Sequence, residues 1–547
     1  MESGQFGPNP YPGSESDPIA VEIEAVKAIV AKYFPIYDVK VGYQSLTIFV
    51  SPDPSQMDER FEQMRLEMND KGYIPMLNLK GGEYTVTVLK REKRKRLGIW
   101  VNVILLAITS VTTIVAGALF YGAYVGGDDL WTVENFLWGA LTFALPLMLI
   151  LGVHELSHYV AAKRHKVAAS LPFFIPSIPP LGTLGALISL RDPIPDRKAL
   201  IDIGIAGPIG GLIVTIPVTI IGLYLTAQGD PGSGMVGDGG SLAITIQPLL
   251  MIFTMFMPIP ENVPIHPTAF AAWVGFLVTA INLLPAGQLD GGHVARGFLG
   301  DKAKYLSYAT VAVLFFLGIF YYQGWLLFAL IVLFMGLRHP QPLNDISKLD
   351  TKHKMLGGFA IALLLVTFVA EPMVQVSPDY DFSMNVEGPD YVEVAAPSNI
   401  SYSILLANTG NTNFNVTMQL VNVPGLWGRA LYMANGTIDG ATDSLTFHLP
   451  FEGVAEVMMM LSIPSGTAPI NTTVSLEAFS MNSNGDVMNE KSPLYFTINV
   501  TSGGATVDAV ATVEGPMHPL NVGLEQVQAR DGDHLSWVSY PQSVTGP

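Results

Sequence analysis

The chain has 547 residues, 49% of them hydrophobic, and a mean hydropathy of +0.38, which together exclude a single compact soluble domain. It contains no cysteine, so disulfides, thiolate metal sites and cysteine nucleophiles are excluded as well. The net charge of −17 is uneven: from Glu371 onward 18 Asp and Glu stand against 3 Lys and Arg, a balance of −15, so nucleic acid is not an expected partner.

Residues 1–18 lack an apolar signal core and the Arg-rich pattern of an organelle transit peptide, and read as a disordered leader. Residues 19–96 read as a small cytoplasmic α/β domain. Ile19, Ile23, Val26, Ile29, Val30 and Tyr33 recur at helical spacing, Tyr37 to Val50 alternates as paired strands, Gln56 to Asp70 is a second helix, and two more strands flank Gly81-Gly82. The run Lys90 to Arg96 (KREKRKR) abuts the first long apolar segment and holds this domain on the inside.

Residues 97–370 carry the apolar segments. Spans are expected at Leu97–Tyr124, Phe136–Val160, about Ala199–Thr226, about Thr268–Leu284, Tyr305–Tyr322, Trp325–Leu337 and Met355–Ala370, giving seven crossings with the N-terminus in and the C-terminus out. The stretch after the second span has Pro172, Pro176, Pro179 and Pro180, which exclude a regular helix; apolar irregular backbone at membrane depth must be buried in protein or line a cavity. Leu242–Phe256 is apolar but, at about fifteen residues with Pro248 inside it, too short to cross, and reads as re-entrant or interfacial. Residues 371–503 then turn to short alternating strands, an immunoglobulin-like β-sandwich on the outer side, with sequons at Asn399, Asn415, Asn435, Asn471 and Asn499. Residues 504–547 form a tail without clear period. The fold class expected is therefore a multi-pass α-helical membrane protein, of about seven transmembrane helices, flanked by a small α/β domain and a β-sandwich.

Inside the second apolar segment lies His154-Glu155-Leu156-Ser157-His158. Histidines four apart share one helix face, where their imidazoles can converge on a zinc ion, and the glutamate beside the first is placed to take a proton from the attacking water. Three ionisable residues together at membrane depth need a functional reason. Two histidines leave a catalytic zinc one protein ligand short. Asp290, in NLLPAGQLDGG from Asn282 to Gly292 at the cytoplasmic end of the fourth span, is the candidate third ligand. Asn282 is a candidate donor or clamp for the substrate backbone, with capping of a kink at Pro285 as the alternative. His293 is a support for the ligands, a helix cap or a residue facing water; His165, His266 and His339 read as structural or interfacial.

These motifs resemble the site-2 protease family, intramembrane zinc metalloproteases (peptidase family M50), which combine HExxH on one core helix with NxxPxxxLDG on another. Asn282, Pro285, Leu289, Asp290 and Gly291 fit that second pattern, and Ala206-Gly207-Pro208 adds to it. The resemblance covers roughly Leu97 to Ala370 and is closest to the branch shared by archaea and plant plastids; the missing transit peptide points to an archaeal cell membrane. It implies Zn2+ held by His154, His158 and Asp290, Glu155 as the base, and substrates that are transmembrane helices of membrane-anchored proteins, unwound before cleavage in the lipid bilayer. An extracellular protein partner for the sandwich stays open. The rival reading, a catalytically silent pseudoprotease that binds membrane helices as a chaperone, is opposed by the intact HExxH and Asp290.

Overall fold

The computed structural model describes residues 18–42, 45–91, 98–126, 129–178, 180–229, 240–259, 263–435 and 442–502. Residues 1–17 of the expected leader, the expected tail and residues 92–97, which hold most of the basic run, lie outside the described residues, while Pro18 already opens a helix. The chain divides into two compact units: one holds the described residues up to Gly229 and from Ile244 to Met373, and the other holds the rest.

The first unit begins with α1 (Pro18–Tyr33), β1 (Ile36–Val41), β2 (Ser45–Val50), α2 (Met57–Asp70), β3 (Tyr73–Lys80) and β4 (Glu83–Lys90). The four strands form one antiparallel sheet in the order β1-β2-β4-β3, turning at Gly81 and Gly82, both at positive φ where glycine carries no Cβ penalty. The helices cover one face of it with Val26, Val30, Phe61, Met64 and Met68, against Leu46, Ile48, Leu77 and Val86. At the edge of this core, the Lys32 ammonium and the Tyr33 hydroxyl donate to Glu67 and hold its carboxyl down at about 2.

Four helices among the described residues are long and apolar enough to cross a membrane: α3 (Ile99–Val125), α4 (Val133–Arg164), α5 (Arg197–Thr226) and the broken helix Asp290–Phe320. The last is interrupted at Gly300, dividing it into α8 (Asp290–Leu299) and α9 (Ala303–Phe320). Between α5 and α8 lie α6 (Pro248–Phe256) and α7 (Pro267–Leu283); α10 (Gly324–Met335) and α11 (Thr351–Thr367) follow. Four crossings thus stand on length and composition, where the sequence reading expected seven. The other three expected spans form shorter helices close to their expected bounds: α7 and α11 have 17 residues each, and α10 has 12 between the turn at Tyr322 and Gly336.

Close helix packing in this unit rests on small residues, which let backbones approach. A Cβ on Gly117 of α3 would lie 2.4 Å from the Gly139 carbonyl oxygen of α4, and one on Gly222 of α5 would lie 2.4 Å from the Ala269 nitrogen of α7. Helix α4 contains a π-helical stretch, Ala140–Ala144. Pro146 has no N–H for the Thr142 carbonyl four residues earlier, and the Thr268 hydroxyl donates to that carbonyl instead, at 2.8 Å.

The proline-rich stretch folds as a hairpin of β5 (Phe173–Pro176) and β6 (Thr183–Leu187). Helix α3 holds it: the Asn102 amide donates to Leu171 O and Pro172 O, each at 2.9 Å, and the Thr112 hydroxyl to Gly182 O at 2.6 Å. Irregular backbone thereby finds its partners within the protein.

The second unit is β-rich. Strands 391–395, 487–501, 470–481, 414–421 and 444–449 form a five-stranded sheet in that order, and 428–433, 454–463, 398–408 and 382–387 a four-stranded one. Inward residues of both meet in one core, including Phe382, Tyr402, Ile404, Val416, Val457, Leu476 and Phe496. The Tyr402 and Phe496 rings lie 4.5 Å apart. Burial of each large apolar side chain contributes about 1.5–3 kcal/mol, so this core stands on its own hydrophobic area.

Candidate metal centre

His154 and His158 lie one turn apart on α4, so both rings leave the helix on the same side. Across from them, the residues from Asn282 to Gly292 make a bend whose parts each have a physical reason. Leu284 is extended, the conformation favoured before a proline, and α7 stops at Leu283. Gly287 turns the chain at φ +52°, and Asp290 opens α8. A Cβ on Gly291 would lie 2.0 Å from the Leu283 carbonyl oxygen, so α8 can fold back on the end of α7 only with glycine there. Asp290 is therefore the first residue of the following helix, not the end of the fourth span as its position after an apolar run suggested.

The result is a triangle of donor atoms. His154 Nε2 is 3.1 Å from Asp290 Oδ2, His158 Nε2 is 3.2 Å from the same oxygen, and the two Nε2 atoms are 3.2 Å apart. A tetrahedral ion with bonds of about 2.0 Å sets its ligand atoms about 3.3 Å apart, so the spacing fits such an ion. His158 Nδ1 donates to Ile203 O at 2.7 Å, which fixes the tautomer and leaves Nε2 bare toward the cluster. His154 and His158 are 3% and 5% exposed and the Asp290 side chain 16%, so the three donors converge in a largely enclosed space. Among the described residues this is the group of three His, Asp or Glu side chains whose donor atoms come close enough to hold a metal.

Glu155 is not part of that triangle. Its carboxylate lies near the Ile188 backbone N–H, just past β6, so the hairpin and the glutamate flank the same space. The Asn282 side-chain amide reaches the cluster, with Nδ2 3.3 Å from His154 Nε2. His293 makes no hydrogen bond to the three donors; its Nδ1 bonds to Leu289 O, and its ring sits 4.4 Å from that of His339. His165 pairs with Asp202 at 3.0 Å, and His266 caps α7 by accepting from Thr268 N.

The sequence placed Gly207 in the Ala206-Gly207-Pro208 step of the family resemblance, with no contact assigned to it. In the fold it faces the donors: a Cβ there would lie 2.0 Å from His158 Nε2 and 2.6 Å from His154 Nε2. Gly204 and Gly210, one turn to either side, approach His293 Cβ and Ser157 Oγ, where a Cβ would lie 2.8 Å and 2.0 Å away, so α5 lies flat against both ligand-bearing helices. The spacing Gly204, Gly207, Gly210, Gly211 was the available signal, but nothing in it says which neighbour comes near.

Residues 142–322, which contain all three donors, match the model of peptidase family M50. This part of the chain is similar to peptidase family M50. Among curated proteins, the chain is similar to "Probable zinc metalloprotease EGY1, chloroplastic" of Arabidopsis thaliana, 32% identical over 44% of this chain and 45% of that one. It is also similar to "Probable zinc metalloprotease EGY2, chloroplastic" of the same plant, 31% identical over 45% of this chain and 44% of that one. The EGY1 protein of Oryza sativa subsp. japonica is 32% identical over 44% and 42%. The chain thus spans less than half the length of the curated relatives it matches. The M50 segment and the plastid-type relatives agree with the resemblance read from HExxH and LDG.

Proposed function

We propose that this chain is a zinc metalloprotease that hydrolyses peptide bonds within transmembrane helices of membrane-anchored proteins. The observation that carries the reading is the buried donor triangle of His154, His158 and Asp290, with Glu155 beside it, in helices apolar enough to lie in a bilayer. When bound, zinc supplies Lewis acidity, lowering the pKa of the attacking water and polarising the scissile carbonyl. Glu155 takes the proton of that water and returns it to the leaving amine. The Asn282 amide donates to the substrate backbone or to the developing oxyanion. A helix opened for cleavage has free N–H and C=O groups, and the exposed edge of the β5–β6 hairpin beside Glu155 offers partners for them by strand addition.

The test uses the full chain in lipid nanodiscs with a single-span peptide. Cleavage within the apolar segment should stop on zinc chelation and return with added zinc; undiminished cleavage after complete zinc removal would end the metalloprotease reading.

The arrangement in the membrane is part of this proposal: seven crossings, the N-terminal α/β domain in the cytoplasm, the immunoglobulin-like sandwich outside, and α6, only 9 residues long, not crossing. The absence of cysteine makes it directly testable. Single cysteines at the exposed positions Glu83 and Ser465 should behave oppositely toward an impermeant thiol reagent on intact cells. Ser465→Cys should label at once and Glu83→Cys only after lysis; the reverse pattern would invert the topology.

A further inference from the structure

The segment between α10 and α11 touches three parts of the first unit within four residues. Leu343 is 4% exposed and belongs to the core of the N-terminal α/β domain, with Ile346 packed beside it. Its carbonyl accepts from Leu77 N at 2.7 Å, which extends the β3 edge of that domain's sheet. Its own N–H donates to Ile194 O at 2.9 Å, and Asn344 N donates to Pro195 O at 2.8 Å, just before α5. The Asn344 amide donates to Asp58 Oδ1 at the start of α2, at 2.8 Å.

The next residue turns to the metal-bearing side. Asp345 Oδ2 accepts from Arg296 Nη2 at 2.8 Å, and Arg296, 4% exposed, lies on α8, the helix that Asp290 opens. The beginning of the same segment presses on the turn before Asp290: the Gln288 amide donates to Met335 O at 3.2 Å, and a Cβ on Gly287 would lie 2.6 Å from Gly336 O. Helix α8 is thus held from both ends by one segment, and that segment is anchored in the α/β domain. Arg296 and Asp345 form only one hydrogen bond, leaving Arg296 Nη1 and Asp345 Oδ1 buried without a protein partner. A buried pair joined by a single bond depends on its supports for position, because any displacement leaves a desolvated charge unmatched.

We infer that the N-terminal α/β domain is a positioning element for Asp290, acting through the 343–346 strap and the Asp345–Arg296 pair on α8. The inference rests on the metal reading of Asp290, but the mechanical link does not. The domain then sets how firmly the third ligand is held, and anything that takes the β3 edge from Leu343 loosens the site.

The test compares the full chain in nanodiscs with Leu343→Asp and Asp58→Ala, by hydrogen exchange of 290–299 and by the rate of zinc release to a chelator. Leu343→Asp should speed exchange of 290–299 at least about tenfold while α3, 99–125, is unchanged. Zinc release should accelerate within the range of about 5–150-fold usual for coupled sites. Leu343→Met, which fills the same apolar site, should restore both. Asp58→Ala, at an exposed position, should give the same changes more weakly, and carries the test if Leu343→Asp does not fold. If exchange rises across 73–80, showing that the strap has left β3, and 290–299 stays as in the wild type, the inference is overturned. A wild-type chain that holds no zinc would refute the metal reading, while the exchange of 290–299 would still decide this one.

Discussion

Glu155→Gln is expected to reduce cleavage of a transmembrane peptide by about 10²–10⁴-fold, the usual contribution of a positioned acid–base group, while zinc stays at the wild-type level. Gln has the shape of Glu and fills the same buried space. It has no carboxylate to take a proton. Glu155 lies outside the triangle of donors, so metal binding has no reason to fall with it. Activity near the wild-type level would remove Glu155 from the mechanism, and loss of zinc would make it a ligand.

The second large effect is expected at a residue that has no functional group. Gly207→Ala should lower zinc affinity at least about a hundredfold, beyond the 10–100-fold typical of residues that merely support ligands. The added methyl would lie 2.0 Å from His158 Nε2, as near as the ion itself would be, and 2.6 Å from His154 Nε2. Helix propensity works in the other direction: Ala is favoured over Gly inside a helix by about 1 kcal/mol, so a loss of metal cannot come from a weaker α5. Gly210→Ala is the control, because its nearest atom is the Ser157 hydroxyl at 2.0 Å, away from the donors. It should disturb packing and cost less metal. Atomic absorption on the purified variants, with circular dichroism for helix content, reads both. Normal zinc in Gly207→Ala would mean that α5 does not lie against the cluster.

Much of the site was legible because its chemistry is local. His154 and His158 are four residues apart, and helical periodicity alone puts them on one face. Asp290 was legible as a residue type in the right setting, but its place as the first residue of α8 depends on the turn at Gly287 and the fold-back permitted by Gly291. Gly207 was not legible as part of the site, since a glycine shows nothing of what approaches it. The same holds for the Thr268 hydroxyl that substitutes for the missing Pro146 N–H, and for Leu343, which completes a core 266 residues earlier at Leu77. Long-range complementarity of this sort leaves no period in the sequence. Alternating strands do: in 398–408 the inward Ile400, Tyr402, Ile404 and Leu406 alternate with polar or exposed positions, as a half-buried strand requires. Apolar segments were legible as helices, α7 spanning Pro267–Leu283 where about Thr268–Leu284 was expected, but α8, set off from α9 by the break at Gly300, was not foreseen.

The central claim is that His154, His158 and Asp290 hold one zinc ion together. Zinc-edge X-ray absorption on the purified full chain tests it most directly, compared with Asp290→Ala. The wild type should bind one zinc per chain with two imidazole nitrogens at about 2.0 Å and carboxylate oxygen in the remaining shell, and Asp290→Ala should lose the metal or change that shell. A wild-type chain without stoichiometric zinc, or a spectrum identical in Asp290→Ala, would contradict the account.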